Sequence, residues 1–335
     1  MPANLTPEYR NAEKEYRAAS TPQEKLAGLE KMLATIPKHK GTDHMQGDLK
    51  RKISKLKNAS QGAAGTRHLD IFRVERSGVG QVVLFGTPNV GKSALVAATT
   101  KAKVQVADYP FASATPTPGM MSFEDVKIQL VDLPPVTAEH MPAGMMGTIR
   151  SADIVAVVVS LAADDPLSQV QIPLEILSNR GVNLVKSRQV PETIESQNPD
   201  EKPLFPIRGF ILATHLDAPQ AAENLAALKE LYADQLDVFA ASCTTGENLD
   251  QFRSYLFRFL DVVRVYSKPP GKRVDKKDPF VLPNGSTVLD LTQAVHRDLP
   301  AQLRYARIWG AGTYAGQTVQ RGHVLNDGDV LELHS

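Results

Sequence analysis

Apolar runs of strand length recur through the middle of the chain, separated by stretches with the spacing of amphipathic helices. Gln81-Val82-Val83-Leu84-Phe85 leads into a helix-like Ala94-Leu95-Val96-Ala97-Ala98. Lys127-Ile128-Gln129-Leu130-Val131, Gly209-Phe210-Ile211-Leu212-Ala213 and Val238-Phe239-Ala240-Ala241 follow. Over 70–265 this alternation predicts an α/β domain with a mostly parallel sheet and crossover helices. Functional residues are then expected at the carboxyl ends of strands. The polar, proline-bearing stretch from Val185 to Pro206 is read as a surface loop.

The pattern changes on both sides of this domain. Upstream, over 1–65, Thr21-Pro22-Gln23-Glu24 is a capping box with proline at the first helical position. It opens a helix whose Leu26, Leu29, Met32, Leu33 and Ile36 share one face, and Pro37 stops it. A second helix is expected after the turn at Lys38 to Gly41, with Met45, Leu49, Ile53 and Leu56 in one stripe ringed by Lys50, Arg51, Lys52, Lys55 and Lys57. The pair predicts a helical hairpin whose basic face is either solvated or a contact for RNA or a ribosome. Downstream, 279–335 reads as a small β-rich module. Pro279 to Pro283 is a strand, Asn284-Gly285 a hairpin turn, Thr292 to Leu299 a helix, Asp327-Gly328 a last turn and Val330 to Leu333 a last strand.

Composition narrows the setting. Of 335 residues, 42% are hydrophobic and 22% charged, as in a folded soluble protein, and the net charge of +1 gives no global field for nucleic acid. The single cysteine, Cys243, excludes an internal disulfide framework and fits a reducing cytoplasm. The apolar run Ile154 to Ala163 is too short to span a bilayer and the N-terminus lacks a signal-peptide layout, so a cytoplasmic protein without membrane contact is expected. His44, His68, His140, His296, His323 and His334 lack metal-ligand spacing.

The decisive chemistry lies at the end of the first run. Gly86-Thr87-Pro88-Asn89-Val90-Gly91-Lys92-Ser93, followed by Ala94, is a complete G-x-x-x-x-G-K-S phosphate loop between a strand and a helix. Its backbone N–H groups and the helix N-terminus would face phosphates, Lys92 would bridge β and γ oxygens, and Ser93 would offer a hydroxyl to Mg²⁺. Later runs end in Asp132-Leu133-Pro134-Pro135, in Thr214-His215-Leu216-Asp217 and in Ser242-Cys243-Thr244. That order fits a GTPase domain rather than a P-loop kinase. Asp217 can accept two hydrogen bonds from guanine N1 and N2, or it can cap the helix that follows Ala218-Pro219.

At these residues the chain resembles the Obg-like GTPases, most closely the developmentally regulated GTP-binding (Drg) proteins. Val106-Ala107-Asp108-Tyr109-Pro110-Phe111 is similar to the family's first switch, and Pro118-Gly119 to its end. Val126 to Pro134 resembles the strand entering the second switch. Asp261 to Gly271 resembles the link to a C-terminal TGS domain, and Tyr305-Ala306-Arg307-Ile308-Trp309-Gly310 a signature within it. The resemblance implies a P-loop GTPase domain at 70–265 and a β-grasp TGS domain at 279–335. It also implies binding of GTP and GDP with Mg²⁺, slow hydrolysis, and a ribosome or RNA partner; no residue pattern names an accessory protein.

Carried over residue by residue, the resemblance gives Mg²⁺ the ligands Ser93, Ser113 and Asp132, with Thr115 as a substitute, and makes Lys92, Ser113 and Asp132 the catalytic set. Thr214, His215, Asp217, Ser242 and Cys243 would surround the base. Asn89 matches an asparagine that helps bind K⁺ in some relatives, or it braces the loop by a side-chain hydrogen bond. The departures are specific. Thr214-His215 replaces Asn-Lys, Ala112-Ser113 replaces paired threonines, and Val136 stands where Ras-like proteins orient water with glutamine. Pro135 replaces a glycine whose N–H senses the γ-phosphate. A large Drg insertion is missing before the base motif. These changes keep two other readings open, a nucleotide-locked scaffold with little turnover and, against Asp217, an ATP-using P-loop enzyme.

Overall fold

The computed structural model describes residues 7–18, 22–36, 46, 48–49, 51–53, 72–100, 115–186, 204–274 and 278–334. The chain divides into two compact units, Met1–Ile71 and Phe72–Ser335. Among the described residues no helix is long and apolar enough to cross a membrane.

The described residues of the first unit are helical, with one element more among them than expected. Helix α1, Pro7–Ala18, precedes the predicted pair, and α2 spans Pro22–Thr35. Tyr9 and Ala12 of α1 pack with Leu29, Met32 and Ile36 and with Leu49 and Ile53 of a further helical segment. The apolar stripe of α2 therefore has partners on both sides of it in sequence. Thr21, Met45 and Leu56 lie outside the described residues, while Arg51 and Lys52 are exposed and Arg51 pairs with Asp48 at 3.8 Å.

The second unit opens with β1, Gln81–Phe85, and α3, Lys92–Thr99. Then come β2 (Thr117–Phe123), β3 (Val126–Asp132), α4 (Met145–Ser151), β4 (Ile154–Ser160) and α5 (Pro166–Asn179). β5 (Val182–Val185), β6 (Phe205–Thr214), α6 (Ala221–Tyr232), β7 (Val238–Ala240) and α7 (Leu249–Leu260) complete the layer. The sheet order is β2-β3-β1-β4-β6-β5, with β7 also on β6, and only the β2–β3 pair is antiparallel. Alternate residues of β1 feed opposite cores. Val83 and Phe85 pack with residues of α4, α5 and α6, whereas Val82 and Leu84 pack with those of α3 and α7. Burial on both faces explains why these strands read as continuous apolar runs.

A second sheet, in the order β11-β10-β12-β8-β9, follows in the same unit. Its strands are β8 (Val262–Ser267), β9 (Phe280–Pro283), β10 (Tyr305–Trp309), β11 (Gln317–Val319) and β12 (Asp329–His334). β8 and β9 are antiparallel, β12 runs parallel beside β8, and α8 (Val288–Val295) covers one face, a β-grasp arrangement. Two expectations change here. The segment resembling an interdomain link begins with β8, a central strand of this sheet. Asn284-Gly285 does form a tight turn, with Gly285 at φ 87°, but it feeds α8 rather than a hairpin, because Thr287 and Asp290 make a reciprocal capping box.

Candidate functional site

Phe85, Asp132, Ser160 and Thr214 end four neighbouring strands, and the phosphate loop leaves the first of them. Two glycines shape that loop. A Cβ on Gly86 would come within 2.6 Å of the Val158 carbonyl, and Gly91 has φ 85° at the N-cap of α3. Lys92 is 6% exposed, and its ammonium donates to the carbonyls of Gly86 (3.0 Å) and Thr87 (2.8 Å). Burial lowers its pKa to about 8, against the opposing pull of Asp132.

Ser93, in the first turn of α3, donates to Asp132 Oδ2 at 2.5 Å. Asp132 is 1% exposed, its other oxygen is buried with no hydrogen-bond partner among the described residues, and burial raises its pKa despite Ser93 and Lys92. A hydroxyl and a buried carboxylate with a spare oxygen are hard oxygen donors, so the pair fits a Mg²⁺ ion. Ser113 lies outside the described residues, and Thr115 is exposed just before β2.

The segment that follows β3 is pinned. Leu133 N–H donates to the Leu84 carbonyl (3.3 Å) and Val136 N–H to the Gly86 carbonyl (3.2 Å). Pro135 is buried, and Val136 is fully buried against residues of the α4 layer rather than facing the loop.

At the far end, Thr214 Oγ1 lies 2.7 Å from the Val90 carbonyl and 3.1 Å from that of Val159, tying the base motif to the phosphate loop. His215, at φ 56°, has Nδ1 2.8 Å from Ser160 Oγ and 3.1 Å from Thr214 Oγ1. Sequence reasoning missed Ser160; its only signal was its place at the end of an apolar run. Asp217 Oδ1 accepts from Ser242 Oγ at 2.5 Å, a bond that holds its pKa below the ordinary aspartate value. α6 starts at Ala221 with Gln220 at the N-cap position, so the capping alternative for Asp217 is overturned. Cys243 packs against the α7 core, and burial, with the nearby charge of Asp217, pushes its thiol up to about 11. Asn89 is exposed at φ 59°, and its side chain has no hydrogen bond among the described residues, so the bracing role is not seen.

Residues 263–335 match the TGS domain model, starting inside β8, and 81–188 match the model described as 50S ribosome-binding GTPase. Developmentally-regulated G-protein 1 of Arabidopsis thaliana is 30% identical to the chain, covering 92% of it and 90% of that protein. The chain belongs to the developmentally regulated GTP-binding protein family. A GTP-binding protein of Methanocaldococcus jannaschii is 27% identical, over 93% of this chain and 92% of its own length. The 368 positions aligned with the Arabidopsis protein exceed this chain's 335 residues, so that relative carries segments lacking here. The crystal structure of a GTP binding protein from Pyrococcus horikoshii shares the fold, with a TM-score of 0.52 at 16% identity over 76% of this chain and 99% of that one. Family membership makes this a guanine-nucleotide-binding protein.

Proposed function

We propose that the chain is a cytoplasmic, Mg²⁺-dependent GTPase with slow turnover. The observation that carries this reading is the Ser93–Asp132 pair with its spare buried oxygen beside Lys92. Ser93 and Asp132 would hold Mg²⁺, which when bound supplies positive charge against the phosphate oxygens. Lys92 would exchange its two carbonyl acceptors for β and γ oxygens, and loop N–H groups would hold the phosphates, so catalysis is positional and electrostatic. Asp217 would accept from guanine N1 and N2, with Ser242 fixing the carboxylate.

Slow turnover is favoured by the second switch. Pro135 has no N–H, and the next one, on Val136, is occupied by Gly86, so the segment lacks a free donor for the γ-phosphate at these positions. The same observation supports a second reading, a nucleotide-bound scaffold that hardly hydrolyses. Single-turnover assays with GTP, with and without Mg²⁺, separate them. Mg²⁺-dependent hydrolysis that disappears in Lys92→Ala supports the first; nucleotide binding without any hydrolysis supports the second.

We further propose that ribosome or RNA contact is made by the face of the second sheet opposite α8. Ala306 and Ile308 of β10 enter the core, which leaves Tyr305, Arg307 and Trp309 on the other face, with Lys268 Nζ 4.0 Å above the Trp309 ring. Cations and aromatic rings together suit phosphate and base contact. Co-sedimentation with ribosomes that is lost in Arg307→Ala supports this placement.

A further inference from the structure

The β2–β3 hairpin links the phosphate site to the second sheet. At its base Thr117 lies opposite Asp132, and at its tip Phe123 lies opposite Val126. Seven residue pairs at the rise of a strand make an arm of about 20 Å. β1 pairs with Gln129 to Asp132, and beyond that register the arm is held by single bridges, Gly78 to Ile128 and Thr100 to Met121, with Val79 N–H on the Lys127 carbonyl at 2.8 Å. Its turn, Glu124-Asp125, ends against β8.

There Arg264 gathers the contacts. One terminal nitrogen donates to Asp125 Oδ1 at 2.7 Å and also to Glu124, while the other donates to Asp327 Oδ2 at 2.7 Å. Its Nε and its backbone N–H both reach Asp327 Oδ1, at 3.0 and 2.8 Å. Tyr266 donates its hydroxyl to the second oxygen of Asp125. The guanidinium lies 4.8 Å from the ring centre of Phe257 on α7, which in turn packs on Phe123 at 5.1 Å. The Arg264 side chain is 12% exposed, while its partners Asp125, Asp327 and Glu124 are 19%, 37% and 59% exposed, so the joint is buried at its centre and wet at its rim. One cation faces three carboxylates, and directional bonds rather than charge balance hold the joint. Such a network fixes a register more than it adds stability.

We propose that this hairpin is a lever by which the nucleotide site and the C-terminal domain control each other. The inference rests on Gly86 to Ser93 being the nucleotide site. Asp132 is both the last residue of the arm and the carboxylate with a spare oxygen. A displacement of the Asp132 backbone on taking a ligand, as opposed to a rotation of its side chain, either breaks strand pairs or moves the tip. The tip is gripped by Arg264 and Tyr266, so the movement passes to β8 and its neighbour β12. By linkage, a partner that shifts the second sheet changes nucleotide affinity by the same factor.

Hydrogen exchange on the full chain, free and with GDP or a non-hydrolysable GTP analogue, tests the lever. In the parent, nucleotide is expected to protect residues 86–93 and to change exchange in β8 and β12 by about fivefold or more. Glu124→Ala with Asp125→Ala removes the acceptors at the tip while leaving the Arg264–Asp327 bonds intact, and Tyr266→Phe removes a single hydroxyl. Both variants are expected to keep protection at 86–93 and to lose the change in β8 and β12. A parent in which 86–93 responds while β8 and β12 do not overturns the lever, as does a response that persists in both variants. No response at 86–93 overturns the nucleotide reading, and the lever with it.

Discussion

Ser93 and Asp132 meet across neighbouring elements, the hydroxyl 2.5 Å from Oδ2, while Oδ1 stays buried with no partner among the described residues. An unpaired buried carboxylate oxygen is costly, and a divalent cation is the partner that removes the cost. Asp132→Asn keeps the shape and removes the charge. Titration of GTP analogue with and without Mg²⁺ is expected to show a large Mg²⁺ enhancement in the parent and loss of most of it in the variant. Equal enhancement in both would place the metal elsewhere.

Lys92 makes nucleotide affinity depend on pH. Its pKa near 8 in the free protein rises when phosphates replace the carbonyls of Gly86 and Thr87, because the anionic ligand favours the charged form. Affinity is therefore full below pH 8 and falls as pH rises from there toward the bound value, by at most about tenfold per unit. Calorimetry at pH 8 in buffers of different ionisation enthalpy is expected to show proton uptake on binding. No uptake would mean that Lys92 is already charged in the free protein or does not meet phosphate.

Asp217 is held by Ser242 rather than spent on a helix cap. Asp217→Asn is expected to shift preference from guanine to xanthine nucleotides, since the amide can donate to the xanthine oxygen. Competition between GTP and XTP reads this directly. Unchanged GTP affinity with no gain for XTP would make Asp217 a structural residue.

Pro135 is expected to set the GTP to GDP ratio. A backbone N–H bonded to a charged oxygen is worth about 1.5–3 kcal/mol, which is roughly a tenfold to hundredfold preference. The parent is expected to discriminate weakly, and Pro135→Gly to bind GTP more selectively, less whatever the added loop freedom costs. Dissociation constants for both nucleotides check it, and a parent ratio well above ten (roughly) that does not change in the variant would assign the donor to another group.

Thr214 stands where asparagine is usual, yet its hydroxyl reaches the Val90 carbonyl at 2.7 Å. Thr214→Val removes that tie inside a buried site and is expected to lower stability by about 1–3 kcal/mol in denaturant unfolding. Loss of nucleotide affinity with no loss of stability would instead give the hydroxyl a direct part in binding.

The sequence by itself determined the architecture and the strand–loop–helix frame around residues 86–93. Runs such as Val82 to Phe85 are legible because strands buried on both faces must be apolar throughout. The loop from Gly86 to Ser93 is legible because close approach of backbone to phosphate demands glycine and a following lysine and serine in fixed order. What only the tertiary structure decided depends on neighbours far apart in the chain. Ser160 beside His215, Ser242 beside Asp217, and Val136 N–H on the Gly86 carbonyl are pairs that no local spacing encodes. The resemblance reads 261–271 as a link, whereas β8 is a strand whose place beside β12 comes from closing a sheet over a core built by Val263, Val265 and Leu331. Arg264 is the extreme case, since its partners Glu124, Asp125 and Asp327 lie on two different turns, and only folding brings three carboxylates to one guanidinium.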